Sequence, residues 1–395
     1  MKTIILKSNL LFLVLLNSLA GYAQQLTVVE QDYPVAKAES IRQGKLLIID
    51  FYTDWCIPCK QLDAAVFRDS LVSRELARDF VVLRYNAEKR DTANKLALKY
   101  HVGMYPTTII LDLRQHIVNQ AYGMQSGEKG IVGNYLDFLD QARRNNTNGK
   151  VIKGVSAPGN TSYPKFYEDY VFRINTKGVE EKLAAYWNAT DDYLSEVPFS
   201  ILCYFSGGTD RVNAFFLRNK KRYLELYGDL DVKFILSMMV GKKLNDAIKA
   251  VNRKAFDEGL VFAREHLSRQ DALSYLPLME ERMLQLENKW LEAFEKFTLR
   301  KKEQRLDDRA TLKFCSAAAE NCTEMTVLNQ CKELMKGISG KEPDHEALSV
   351  YARLTYKTGN KPLGIELMER AISLGKQKKE DTGDSEEWLK KSGKS

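Results

Sequence analysis

The chain has 395 residues, 44% of them hydrophobic and 28% charged, with a formal net charge of +7. That length supports two or three domains with a sizeable core, and the balance is that of an ordinary globular protein rather than a disordered one. The positive excess is mild and lies in no basic block beside a nucleic-acid motif, so nucleic acid is not an expected partner.

The first residues read as an export signal. Lys2 and Lys7 give a positive start, 10–16 a short apolar core, and Gly21-Tyr22-Ala23 a small-residue cleavage site. The alternative is an uncleaved anchor. Asn9 and Asn17 interrupt the stretch, however, and it falls short of the roughly 20 apolar residues that span a bilayer. The expectation is a signal peptide at 1–23 and a periplasmic or secreted mature protein with no membrane span.

Residues 24–144 alternate strand and helix patterns. Strands are expected at 26–29, 46–52, 80–85, 107–113 and 117–122. Helices are expected at 33–43, 58–67, from Asp69-Ser70 through Ala77, at 91–100 and at 128–142. The 46–52 run is apolar on both faces, as in a parallel strand covered by helices. It delivers Cys56 to the first turn of a helix, with Cys59 one turn further on. The unpaired N–H groups and positive dipole end of that turn stabilise a thiolate. A cysteine so placed drops from an ordinary pKa of about 8.5 to roughly 3.5–7.5. Cys56 is therefore expected to be an exposed nucleophile and Cys59 a deeper resolving thiol, cycling between dithiol and disulfide. Half of a zinc site and an inert structural bridge remain as alternatives. Zinc needs a second cysteine pair or histidines at ligand spacing. Neither is present, since His101, His116, His266 and His345 stand singly. No metal and no dissociable cofactor are expected.

The string Asp50-Phe51-Tyr52-Thr53-Asp54-Trp55-Cys56-Ile57-Pro58-Cys59-Lys60 resembles the active-site segment of the thioredoxin superfamily. Read on through Phe67-Arg68-Asp69-Ser70, it is most similar to the periplasmic thioredoxin-like domain of the disulfide interchange protein DsbD. The resemblance covers roughly 26–143 and implies an α/β thioredoxin fold, a mixed sheet flanked by helices. It also assigns roles. Val102-Gly103-Met104-Tyr105-Pro106-Thr107 resembles the loop that faces the cysteine pair, so Pro106 is expected in cis. Tyr105, bulkier than the usual residue there, would offer backbone groups to an extended substrate. By itself Asp50 reads as a strand-end acid facing solvent. The matching position in thioredoxins is a buried acid that takes a proton, through a water, as the resolving thiol attacks. Its lysine partner there corresponds to Arg84 here. Trp55 would shield the disulfide and contact substrate, or simply pack in the core. Ile57 and Pro58 form the loop between the thiols, which Pro58 rigidifies.

The implied activity is reduction or interchange of disulfides in protein substrates, with a membrane thiol carrier as electron donor. The competing reading is a peptide-holding, chaperone-like module with little redox turnover, whose helical domain docks a partner.

Residues 145–163, rich in Asn, Gly, Pro and Ser, read as a linker. From 164 to 377 the pattern is all-α and repeat-like. Helices are expected at 164–174, 179–195, 198–206, 209–226, 230–238, 242–266, 271–283, 284–303, 308–320, 323–336, 344–357 and 361–375. One pair carries a tetratricopeptide-like (TPR-like) spacing in Leu348, Tyr351, Ala352, Gly359, Gly364, Met368 and Ala371. A docking face and a structural platform are both open roles for this region. Cys203, Cys315, Cys322 and Cys331 are either paired or buried apolar thiols. Residues 378–395 read as a polar, frayed tail.

Overall fold

The computed structural model describes residues 25–89, 95–124, 129–159, 161–341 and 344–392. The leader expected at 1–23 and part of the helix expected at 91–100 lie outside the described residues. Five strands make one mixed sheet: β1 (Thr27–Glu30), β2 (Leu46–Tyr52), β3 (Phe80–Asn86), β4 (Thr107–Leu111) and β5 (Ile117–Tyr122). Their order is β1-β3-β2-β4-β5. The first three neighbours run parallel, while β4 is antiparallel to β2 and β5 to β4. Leu47, Ile48, Ile49 and Phe51 of β2 are fully covered, which explains why the strand is apolar on both faces.

Helices α1 (Tyr33–Gln43), α2 (Ile57–Leu62), α3 (Ser70–Asp79), α4 (Leu96–Lys99) and α5 (Gly130–Thr147) accompany the sheet. Asp32 caps the start of α1 by accepting from the Val35 N–H, and Gly44 ends it at a φ of 65°. Asp69 accepts from the Leu71 and Val72 N–H groups at the start of α3. Ile48, Val82 and Ile110 of the sheet pack with Leu62, Val66, Leu76 and Leu139 of the helices.

The chain divides into two compact units, up to Ile235 and from Leu236. The sequence places the division at 145–163 instead, and the contacts there show the reason. Helix α5 runs on to Thr147. The Ile152 N–H donates to the Ile117 carbonyl at 2.9 Å, and the Gly154 N–H to that of Leu226 at 2.7 Å. Polar breakers mark a surface crossing, but the chain beyond it packs back. Helices α6 (Lys165–Val171), α7 (Val179–Ala189), α8 (Glu196–Tyr204), α9 (Asp210–Arg218) and α10 (Lys220–Tyr227) complete the first unit. The buried Tyr167 hydroxyl donates to the Leu98 carbonyl at 2.9 Å, tying α6 to α4. The division falls inside α11 (Asp229–Lys249).

The second unit continues with α12 (Arg253–His266), α13 (Arg269–Leu286), α14 (Trp290–Glu303), α15 (Asp308–Asn321), α16 (Met325–Lys341), α17 (His345–Lys357), α18 (Lys361–Lys378) and α19 (Gly383–Ser392). The helix expected over 242–266 is broken at Val251, whose φ is 47°. Asn252 then caps α12, accepting from the Ala255 N–H. The helix expected over 209–226 breaks at Asn219. The tail expected to fray from 378 forms α19 instead. Trp388 and Leu389 give that helix an apolar side, which packs on the cluster of Leu348 and Met368. Cys203, Cys315, Cys322 and Cys331 are free and buried. No helix among the described residues is long and apolar enough to cross a membrane.

Candidate functional site: a dithiol at a helix start

Cys56 and Cys59 are joined, with sulfurs 2.06 Å apart and Cα atoms 5.3 Å apart. Cys56 is the cap of α2, and its Sγ accepts the Cys59 N–H at 3.1 Å. The sulfur therefore sits where a negative charge meets a backbone donor and the positive end of the helix. One expectation is overturned. Cys56 is 2% exposed and Cys59 4%, so the nucleophile is not open to solvent and the second thiol is not the deeper one. Cys56 Sγ is turned onto the helix start, where it meets the Cys59 N–H. The flanking residues are the open ones, with Trp55 57% and Ile57 67% exposed.

Asp50 lies in β2 directly opposite Arg84 of β3, and Arg84 lies opposite Glu30 of β1. The carboxyl is buried. Its Oδ2 is 3.1 Å from Arg84 Nε, while Oδ1 has no hydrogen-bond partner among the described residues. Both Arg84 fork nitrogens turn the other way, to Asp63, at 2.8 and 2.9 Å. Burial pushes the Asp50 pKa up to about 7. Arg84 pulls against that rise, and Asp63 and Glu30 add to it. The strand therefore holds an acid poised near neutrality, where its two protonation states are comparably populated.

The Tyr105–Pro106 peptide bond is cis. The Met104 carbonyl accepts from Thr107 Oγ1 at 2.8 Å, and that of Pro106 from the Gly123 N–H at 2.7 Å. These bonds fix the loop at the head of β4. The Tyr105 ring meets the Trp55 ring edge to face at 5.9 Å, which brings the loop beside the residue preceding Cys56. Trp55 is a surface residue of the site rather than a core residue. Pro58 lies in the first turn of α2, where a missing N–H costs nothing.

Sequence reasoning missed Asp63, Glu88, Arg173 and Tyr204. Asp63 was readable, since it lies four residues after Cys59 along one helical run. Arg173, just after α6, and Tyr204, at the end of α8, lie far along the chain and leave no local signal. Among the described residues, His101, Cys203 and Asp231 are those whose donor atoms approach a common centre, within 4.8 Å. Asp231 already accepts from Tyr122 and from Gln120 Nε2 (2.9 Å), and pairs with His101 Nε2 at 3.4 Å. That carboxylate is satisfied by protein groups alone, and the cluster reads as a buried polar node.

Comparison with known proteins agrees with this geometry. Residues 28–112 match the family described as thioredoxin-like. The thiol:disulfide interchange protein DsbD of Escherichia coli strain K12 is 33% identical over 94 residues, 23% of this chain and 16% of that protein. DsbD of Haemophilus ducreyi is 33% identical over 75 residues, 19% of this chain and 13% of that protein. The chain thus spans about a sixth or less of the length of these curated relatives. A thioredoxin from Thermus thermophilus is 24% identical, with a TM-score of 0.26 over 31% of this chain and 91% of its own. The site is one for thiol–disulfide redox chemistry, and the segment that builds it is a thioredoxin-like domain.

Proposed function

We propose that this protein is an exported thiol–disulfide oxidoreductase that reduces or exchanges disulfides in other proteins. The observation that carries the reading is the Cys56–Cys59 disulfide at a helix start, beside a cis-proline loop, in a segment whose preceding strand carries a buried acid with a pKa near 7. In the reduced protein, the Cys56 thiolate attacks one sulfur of a substrate disulfide. A mixed disulfide forms, and the other substrate sulfur leaves as a thiolate that takes up a proton. Asp50 accepts the proton of Cys59. The Cys59 thiolate then attacks Cys56 Sγ, breaks the mixed disulfide and releases the second substrate thiol. Two electrons have passed to substrate, and the internal disulfide is restored. An external dithiol must reduce it again, and a membrane thiol carrier facing the same compartment is the proposed donor.

Tyr105 is proposed to hold the substrate backbone. Its N–H and carbonyl have no hydrogen-bond partner among the described residues, while its neighbours' carbonyls are occupied. That leaves one residue's worth of strand pairing for an extended chain. Reduction of insulin by dithiothreitol is the test. The wild-type protein is expected to accelerate it and Cys56→Ser to lose the effect. Cys59→Ala should accumulate a covalent complex with substrate that added thiol dissolves. A wild-type protein without turnover would leave the peptide-holding reading in its place.

A further inference from the structure

Trp55 stands next to the nucleophile, and one of the residues that hold it, Arg173, lies outside the thioredoxin-like match. Its indole Nε1 donates to both Glu88 carboxylate oxygens at 3.1 Å. Arg173, which lies just after α6, pairs with the same carboxylate at 3.1 Å and sets its guanidinium 6.0 Å from the Trp55 ring centre. The Tyr105 ring packs edge to face against the indole. The Tyr204 ring at the end of α8 lies against Gly103 of the cis-proline loop, where an added Cβ would meet it at 3.6 Å, and Tyr170 packs edge to face on Tyr204. The helical segment after the thioredoxin-like region therefore braces both walls of the redox site.

The backbone at Arg173 adds a second observation. Its φ is 53°, in the left-handed region at the end of α6. The Arg173 N–H donates to the Tyr170 carbonyl and the Ile174 N–H to that of Asp169. This is a helix-end turn that glycine fills most easily. An arginine there keeps an unfavourable conformation, and that same turn directs its side chain onto Trp55.

Resting on the redox reading above, we infer that Arg173, through Glu88 and Trp55, is a positioning residue that fits the site to polypeptide disulfides rather than small ones. A polypeptide must lie along the wall formed by Trp55 and Tyr105 for its sulfur to reach the nearly covered Cys56. A small disulfide needs the sulfur alone. Fixing the indole in advance removes the cost of ordering it when a chain binds.

Single-turnover oxidation of the pre-reduced protein tests this, with insulin and with glutathione disulfide as oxidants. Arg173→Gly should raise the half-saturating insulin concentration about threefold, a size that a surface cation–π contact and ion pair support. The limiting rate and the glutathione rate should stay at the wild-type value. Its thermal midpoint should equal or exceed that of the wild type, because glycine suits the turn. Arg173→Lys, which keeps the cation, should recover part of the insulin affinity. The Trp55 indole N–H resonance should shift in Arg173→Gly. An insulin dependence equal to wild type or tighter overturns the inference, as does an equal loss on both oxidants. A wild-type protein that neither oxidant touches would instead remove the redox reading itself.

Discussion

Asp50 occupies a position where burial and pairing oppose one another at close range. Arg84 contacts it through Nε alone, because the guanidinium fork is engaged by Asp63. Burial wins, and the group titrates near 7 rather than near 3.8. In the catalytic cycle only the ionised form accepts the Cys59 proton. The rate of mixed-disulfide resolution should therefore rise with pH through about 7. Asp50→Asn should flatten that profile and slow resolution at pH 8 by on the order of tenfold to a hundredfold, read by quench-flow of the mixed disulfide. An unchanged profile would remove Asp50 from the mechanism. The same shift has a consequence for stability with a definite sign. The folded protein binds this proton more tightly than the unfolded chain does. The associated stability is full below the unfolded value of 3.8 and is lost as pH rises through about 7. The loss approaches on the order of 4 kcal/mol, three pKa units of differential proton binding. Asp50→Asn should then raise the urea midpoint most at pH 8, by less than half as much at pH 5, and leave it nearly unmoved only below the unfolded value of 3.8.

At the scale of elements, two glycines in the second unit make a contrast that packing decides. A Cβ on Gly364 of α18 would stand 2.7 Å from the Tyr356 Cβ and 2.8 Å from its backbone nitrogen. Helices α17 and α18 therefore approach closely only because position 364 has no side chain. Gly337 of α16 has nothing within 4 Å of the same point. Alanine favours a helix by about 1 kcal/mol over glycine at either site. Gly337→Ala should stabilise by roughly that amount, while Gly364→Ala should destabilise by about 1–3 kcal/mol as the hairpin spreads. Paired urea titrations of the two variants read the difference. The glycine at 364 was visible in the sequence as part of a repeat-like spacing, and so were the five strands, because apolar runs bounded by breakers carry their own signal. The break at Val251 was not. A β-branched residue in a left-handed conformation is the reverse of a local preference, and the cap at Asn252 looks like any polar helix residue. Pro106 was legible only through family resemblance, since a proline opening an apolar run reads locally as a trans strand start. The bracing of Trp55 was invisible for another reason. Glu88 and Arg173 are 85 positions apart (173 − 88), and nothing in either neighbourhood announces the other.

On the scale of the whole first unit, one buried charge records how far the fold extends beyond its thioredoxin-like core. Lys99 of α4 is 1% exposed at its side chain and pairs with Glu196 at the start of α8. Its Nζ also bonds Ser156 Oγ at 2.9 Å, and Glu196 accepts from the Ser156 N–H and hydroxyl. The ammonium of a lysine on a short helix of the thioredoxin-like region thus finds its partners after residue 150. The composition break at 145–163 predicts independent domains on either side, and this ion pair is incompatible with that division. The energetics are asymmetric. Removing one member of a buried pair strands the other charge and costs about 3–5 kcal/mol, whereas replacing both with apolar groups of similar size is often neutral. Glu196→Gln should accordingly lower the free energy at which β3 and β4 amides exchange with deuterium by on the order of 3 kcal/mol. The double variant Lys99→Met with Glu196→Leu should recover most of that loss. If the single substitution left those strands as protected as in the wild type, the sheet would be holding itself together without the helices that follow. The segment 150–231 would then be an appendage to the redox domain rather than part of its core.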